Sequence, residues 1–287
     1  MTIKSLILSG GAYLGFSQLG CIKILLEKQH IKMVDIESIY ACSIGTVVAI
    51  ILCLKLEWDI IYDYFIKRPW SKTVDFSPSV LLESIETKGI IGNHFFETLF
   101  EPLFKYNDID TNISLKTFQE LHDISLNFYT CGVNKLEYKL IDDNNFPDIR
   151  LIDAVHMSCS IPLLFQPFKY KNEYYIDGGM INNYPVVSCL EKYTEEEVFG
   201  IFIDVQPSNQ FDDDDNLFGF LLHIIHAMHR SVREKKINIQ NEIYIDSEPL
   251  DIPNLNKCLS DSDERKRRIE YGEILAEQWY QLHLDEQ

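Results

Sequence analysis

Twice within its first 54 residues the chain runs from a short β-rich apolar segment, through a turn of small residues, into an apolar helix. Lys4–Leu8 leads into Ser9-Gly10-Gly11, and from Gly15 onward Phe16, Leu19, Ile22 and Leu25 recur at helical spacing until near His30. Ile36–Ala41 then leads into Cys42-Ser43-Ile44-Gly45, and Gly45–Leu54 is apolar enough to form a buried helix. Strand, turn and helix repeated in this order direct a chain toward a parallel α/β sheet with crossover helices. A length of 287 residues, 46% of them hydrophobic, is enough for a sizeable core.

Residues 57–122 read as a helical insertion on that sheet. Amphipathic pieces fall at Trp58–Phe65, Val80–Ile85, His94–Phe104 and Leu115–Leu121, and no strand pattern interrupts them. Strands are expected again at Leu126–Val133 and Leu136–Ile141, followed by a helix over Leu151–Ser158 that Ile161-Pro162 stops. Tyr174–Ile176 is a strand running into Asp177-Gly178-Gly179, and Val198–Val205 is a buried strand. The last third adds helices over Leu217–Lys236 and Glu264–Leu284 around a strand at Glu242–Ile245.

Composition excludes several function classes. Lys+Arg is 26 against 44 Asp+Glu, a net charge of −18, which opposes nucleic-acid binding and loose adsorption to anionic membranes. The seven cysteines have no C-x-x-C pair and an odd total, so they read as small buried hydrophobes in a reducing compartment. Val47–Leu54 is the longest apolar run, far below the ~18–20 residues of a bilayer span. The stretch Met1–Leu8 is too short for a signal sequence, so a cytoplasmic protein, peripheral at most at membranes, is expected. Asp212–Asp215 reads as a solvated acidic loop, and His223, His226 and His229 lack the neighbours a zinc site needs. Two cationic clusters stand out: Arg230, Arg233, Lys235 and Lys236, and the run Arg265 to Arg268. They are read as solvated helix faces paired with acids such as Glu234, Asp263 and Glu264, with contact to lipid phosphates as the rival reading.

Three clusters carry chemistry. Gly10-Gly11-Ala12-Tyr13-Leu14-Gly15 lies where a turn aims backbone N–H groups at an anion, but a dinucleotide fingerprint lacks its middle glycine and its acidic residue. Ala41-Cys42-Ser43-Ile44-Gly45 places a serine on a strand-to-helix turn, either as a nucleophile elbow or as a helix N-cap. Asp177-Gly178-Gly179, ahead of Asn182-Asn183-Tyr184-Pro185, is an ordinary turn or a positioned carboxylate. His156 sits in an apolar helix, where packing accounts for it, and no histidine occupies a strand-end loop. An aspartate acting directly on the serine is therefore the better fit than a Ser–His–Asp triad.

Taken in order, these segments resemble the patatin-like phospholipase family. The matching residues are Leu8-Ser9-Gly10-Gly11 through Gly15, Gly20 to Leu25, Ser43-Ile44-Gly45, Ala154 to Pro162, Tyr175 to Gly179 and Asn182 to Val186. The resemblance implies a three-layer α/β sandwich around a mostly parallel sheet, to which the residue patterns add the helical insertion and C-terminal helices; residues 57–122 and 191–287 match none of the family's motifs. It implies residues 5–190 as a lipid acyl hydrolase domain, and residues 191–287 are expected as a strand–helix extension packed on it. By the same carry-over Ser43 is the nucleophile, Asp177 the base, and the amides of Gly10, Gly11 and Ala12 the oxyanion hole. Gly15, Ala41, Gly45, Gly178 and Gly179 support the turns, and neither metal nor organic cofactor is implied. The family usually has glycine at Ala12 and Ala41 and often Arg or Lys at Leu14. The implied substrate is a phospholipid or another acyl-ester lipid, with peripheral membrane contact and a protein activator as open partners. Two alternatives stand beside it: a catalytically reduced fold serving as a lipid-binding or interaction module, and a peptidase on the same elbow.

Overall fold

The computed structural model describes residues 2–205, 219–221, 223–225, 227, 237–247 and 252–284. Strand β1 (Ser5–Leu8) passes through a 3-10 turn at Ala12–Leu14 into α1 (Gly15–Glu27), and β2 (Ser38–Cys42) passes through Ser43 into α2 (Ile44–Cys53). Next come α3 (Trp58–Lys67), α4 (Pro78–Thr87), β3 (Gly89–Ile91), α5 (His94–Tyr106) and α6 (Leu115–His122). The chain continues through β4 (Ser125–Gly132), β5 (Glu137–Ile141), α7 (Leu151–Cys159), β6 (Leu163–Phe165), β7 (Phe168–Tyr170) and β8 (Glu173–Asp177). Then follow α8 (Val186–Leu190), β9 (Val198–Val205), β10 (Glu242–Ser247), α9 (Ile252–Ser260) and α10 (Ser262–Leu284).

Among the described residues an eight-stranded sheet runs β10-β9-β1-β2-β4-β8-β7, with β5 also paired to β4. Pairing is parallel from β10 to β4 and antiparallel for β5, β7 and β8. Side chains of a strand alternate between faces, so Leu6 and Leu8 join one core cluster and Ile7 the other. Helices α1, α2, α7 and α10 fill the first face, and the segment around α8, with Tyr184 and Tyr193, covers the second. These are the three layers.

Residues 57–122 depart from the expected all-helical insertion, because β3 lies within them. It pairs in parallel with β6, Gly89 opposite Leu163 and Ile91 opposite Phe165, and ties the insertion to the segment after α7. Three residues are too few to show a period-two pattern. Beyond residue 190, described elements pack on the same sheet and on α1. Strands β9 and β10 extend the sheet past β1, and α10 crosses α1 where Gly20 faces Gly272. A Cβ on Gly20 would lie 2.1 Å from the Ile269 carbonyl oxygen, and one on Gly272 2.0 Å from that of Ser17. The Ser17 hydroxyl donates to the Arg268 carbonyl at 2.9 Å, and Lys23–Glu273 and Lys28–Glu277 ion pairs flank the crossing.

All seven cysteines are buried and free. Among the described residues no helix is long and apolar enough to cross a membrane. Asp212–Asp215, His226, His229, Arg230, Arg233, Lys235, Lys236 and much of the helix expected at Leu217–Lys236 lie outside the described residues.

Candidate active site

Strand β4 explains how two residues 134 positions apart come together. Its residues Phe128 and Tyr129 pair with both β2 and β5, and Thr130 to Gly132 pair with both β5 and β8. Strands β2 and β8 therefore share the edge of β4 opposite β5, one parallel and one antiparallel to it, and run toward each other. Their C-terminal ends meet. Ser43 follows the last residue of β2, and Asp177 is the last residue of β8.

Ser43 has φ 52° and ψ −129°, a region that costs a non-glycine residue about 1–3 kcal/mol and persists only where the surroundings fix it. Here they do. Its N–H donates to the Ser158 hydroxyl at 3.0 Å, while its carbonyl accepts from the Thr46 amide at 2.9 Å and the Thr46 hydroxyl at 2.7 Å. Ser158 in turn donates to the Tyr129 carbonyl at 2.6 Å, which anchors the elbow to β4. The Ser43 side chain caps no helix amide, which removes the N-cap reading. Gly45 lets α2 approach β1, since a Cβ there would lie 2.4 Å from the Leu8 carbonyl oxygen, and fully buried Ala41 sits beneath the turn.

Asp177 is 3% exposed. Its Oδ1 accepts from the Gly179 amide at 2.7 Å and from the Cys42 thiol at 3.8 Å. Burial lifts its pKa from 3.8 to about 6, and hydrogen bonding from the Ser43 hydroxyl, the Gly179 amide and the Cys42 thiol works against that rise. Oδ2 is buried without a partner that satisfies hydrogen-bond geometry, which leaves it with an open lone pair. Gly178 fits under the turn because a Cβ would lie 2.6 Å from the Tyr129 carbonyl oxygen.

The glycine loop reaches the same place through Asn183. The Asn183 Nδ2 donates to the Gly10 carbonyl at 3.0 Å, and the Gly10 N–H donates to the Asn183 carbonyl at 3.2 Å. Gly10 thus anchors the loop, and its amide is already engaged. The amides of Gly11 and Ala12, by contrast, have no acceptor among the described residues. A Cβ on Gly10 would lie 2.8 Å from the Ser43 Cβ. Ala12 adopts φ 48°, the left-handed backbone for which glycine is the easier residue. Gly15 opens α1 against Ile44, and buried Leu14 packs into the core.

Ser43 and Ala12 open onto a cavity of about 120 Å³ whose walls are almost wholly apolar. Phe65 and Trp70 come from the insertion, as do Phe96 and Leu99, while Leu255 and Leu259 come from α9. Arg265 also lines it, yet its guanidinium is tied back into the protein. It donates to the carbonyls of Ile66 and Arg68 at the end of α3 and of Cys258 and Leu259 at the end of α9. The run Arg265 to Arg268 is therefore only in part a solvated face: Lys266 and Arg267 are exposed and paired with Glu270 and Glu264, while Arg265 and Arg268 turn inward. Arg265 is 3% exposed, Arg268 lies over the Tyr13 ring and pairs with Glu264, and Arg267 pairs with Glu264 as well. Helical spacing turns 265 and 268 inward, a distinction a bare count of charges does not carry. His156 behaves as expected of a packed residue: Nε2 bonds to the Gln166 carbonyl at 2.9 Å and the ring stacks on Phe96.

Residues 6–190 match the patatin-like phospholipase family, and the chain belongs to that family. Among curated proteins it is 26% identical over 196 residues to a probable lipid hydrolase of Invertebrate iridescent virus 6. It is 27% identical over 192 residues to an uncharacterized protein of Acanthamoeba polyphaga mimivirus. These matches take in 67% and 64% of this chain but only 65% and 60% of the relatives, so the chain spans less than two thirds of their length. The crystal structure of VipD from Legionella pneumophila matches with a TM-score of 0.55 at 20% identity, over 99% of this chain and 67% of that one. At that identity the likeness is one of fold.

Proposed function

We propose that the chain is a serine lipid acyl hydrolase of the phospholipase A type, acting through Ser43 and Asp177. The observation that carries this reading is the meeting of a strained serine and a buried carboxylate at one end of an apolar cavity. The Ser43 hydroxyl attacks the acyl ester carbonyl while Asp177 Oδ2 takes its proton. The oxyanion forms against the amides of Gly11 and Ala12, each donor contributing roughly 3–4 kcal/mol by comparison with other acyl-transfer sites. The alcohol leaves with the proton from Asp177. Water, deprotonated by the same carboxylate, then releases the fatty acid from the acyl-serine. A pKa of about 6 suits this base, which is mostly ionised at neutral pH yet more basic than an ordinary aspartate. The cavity walls suit an acyl chain, which needs apolar surface and no directed partner.

The experiment is incubation with phosphatidylcholine vesicles, reading free fatty acid and lysophospholipid by mass spectrometry. Both should appear with wild type and be absent with Ser43→Ala. Absence with wild type, across phospholipid and neutral acyl-ester substrates, contradicts the reading and favours the lipid-binding alternative.

A further inference from the structure

Helix α4 is amphipathic in the wrong direction for a helix of the protein interior. Pro78, Leu81, Leu82 and Ile85 fall at i, i+3, i+4 and i+7, the spacing of one helical stripe. That stripe faces outward: Leu82 is 70% exposed, Ile85 77% and Leu81 40%, and the helix buries no residue. Its inward side is held by Val80, which packs against Ile90, Ile91 and Leu164, and by the Thr87 hydroxyl, which donates to the Gly89 carbonyl at 2.9 Å. Exposed apolar side chains such as Val34 and Leu121 stand singly in sequence and need no explanation. A turn-and-a-half of leucine and isoleucine held in water does.

We propose that this stripe seats the protein on the surface of a zwitterionic phospholipid bilayer. The inference rests on the lipid hydrolase reading for its purpose. Three features select lipid over protein. The cluster beneath the stripe, Ile90, Ile91 and Leu164, also packs on Phe95, Phe165 and Leu255, and Leu164, Phe95, Phe165 and Leu255 line the cavity that opens at Ser43. The outward face is thus continuous through one layer of side chains with the space meant for an acyl chain. Next, one stripe on a ten-residue helix is far below the ~800 Å² per partner of a stable protein interface, but insertion into a lipid surface has no such minimum. Last, residues 78–87 carry Glu83 and Glu86 and no Lys or Arg, and the whole chain has a net charge of −18, so anionic lipid is disfavoured.

Flotation with vesicles of ether-linked phosphatidylcholine tests this, because such lipid has no ester and binding is read apart from catalysis. Wild type should float with the vesicles equally at low and high salt. Leu82→Gln combined with Ile85→Gln should weaken the partition at least tenfold, while turnover of a soluble short-chain ester stays as in wild type. Equal flotation of variant and wild type, no flotation of wild type, or flotation lost in high salt overturns the proposal. So does a wild-type dimer that the double substitution dissolves. Failure of fatty-acid release with flotation intact would instead count against the hydrolase reading alone.

Discussion

Around Ser43 and Asp177 the structure is fixed by directed bonds, whereas the cavity they open onto is held mostly by contact. The elbow amide, the elbow carbonyl and Asp177 Oδ1 all have named partners within β2, β4, α2, α7 and the Asp-Gly-Gly turn. The cavity wall joins α2, α3, α5 and α9, and the one charged residue that lines it among the described residues, Arg265, is spent on helix ends. The first region sets what reaction is feasible, and the second sets what fits. Substitutions should divide accordingly, with loss of turnover at the sheet edge and loss of stability or chain-length preference at the wall.

The largest expected effect is at the edge. Ser43→Ala and Asp177→Asn should each lower fatty-acid release by about 10³-fold or more, and the double variant should be little worse, because the pair acts as a unit. Unchanged turnover in Asp177→Asn, with circular dichroism as in wild type, would break the assignment of the base.

At the wall, Arg265→Lys should destabilise the fold by about 3 kcal/mol, measured by denaturant unfolding. An ammonium lacks the fork that reaches carbonyls of two helices, and hydrogen bonds to charged groups are worth ~1.5–3 kcal/mol. Long-chain esters should lose more turnover than short-chain ones. An equal loss for both would show that Arg265 acts on the edge and blur the division.

Asp177 links the two measures. Its carboxyl titrates near 3.8 when unfolded and about 6 when folded, so between these values the native state holds a proton the unfolded chain has released. Stability from this group therefore falls as pH rises from about 4 to 6, and above that the buried carboxylate costs on the order of 3 kcal/mol. Turnover moves oppositely, rising as pH passes upward through about 6. Asp177→Asn should be more stable than wild type at pH 8, and the gap should close by pH 4 in thermal melts.

The smallest expected effect is Ala12→Gly, which removes the side chain from a left-handed backbone position. It should add about 1 kcal/mol of stability in denaturant unfolding and leave turnover equal or higher. A destabilised variant would mean that the Ala12 methyl, which lines the cavity, contributes more by contact than its backbone conformation costs.

The turns of the edge were legible in the sequence because strand-to-helix turns are local, but the windows of Ser43 with Gly45 and of Asp177 with Gly178 and Gly179 each left two readings open, and only their order along the chain pointed to one site. The sheet was legible for the same reason, through apolar runs in β1, β2, β4 and β9. The wall was not. Phe65, Trp70, Leu99 and Leu259 look like any core residue, and only tertiary packing brings them to one cavity. Asn183 stood in a quoted motif, but its clamp on Gly10 needed coordinates, and Arg265 was hidden by a charge run that reads as solvated. The short β3 and β6 gave no period to detect, and the outward stripe of α4 shows why a helical moment does not say which side faces the protein.

The most direct test of a Ser43 nucleophile raised by Asp177 is labelling with an alkyl fluorophosphonate, read by intact mass and peptide mapping. One adduct on Ser43 is expected, forming faster as pH rises through about 6, at least a hundredfold slower in Asp177→Asn and absent in Ser43→Ala. No adduct on the wild-type chain, an adduct elsewhere, or a rate indifferent to Asp177→Asn would contradict it.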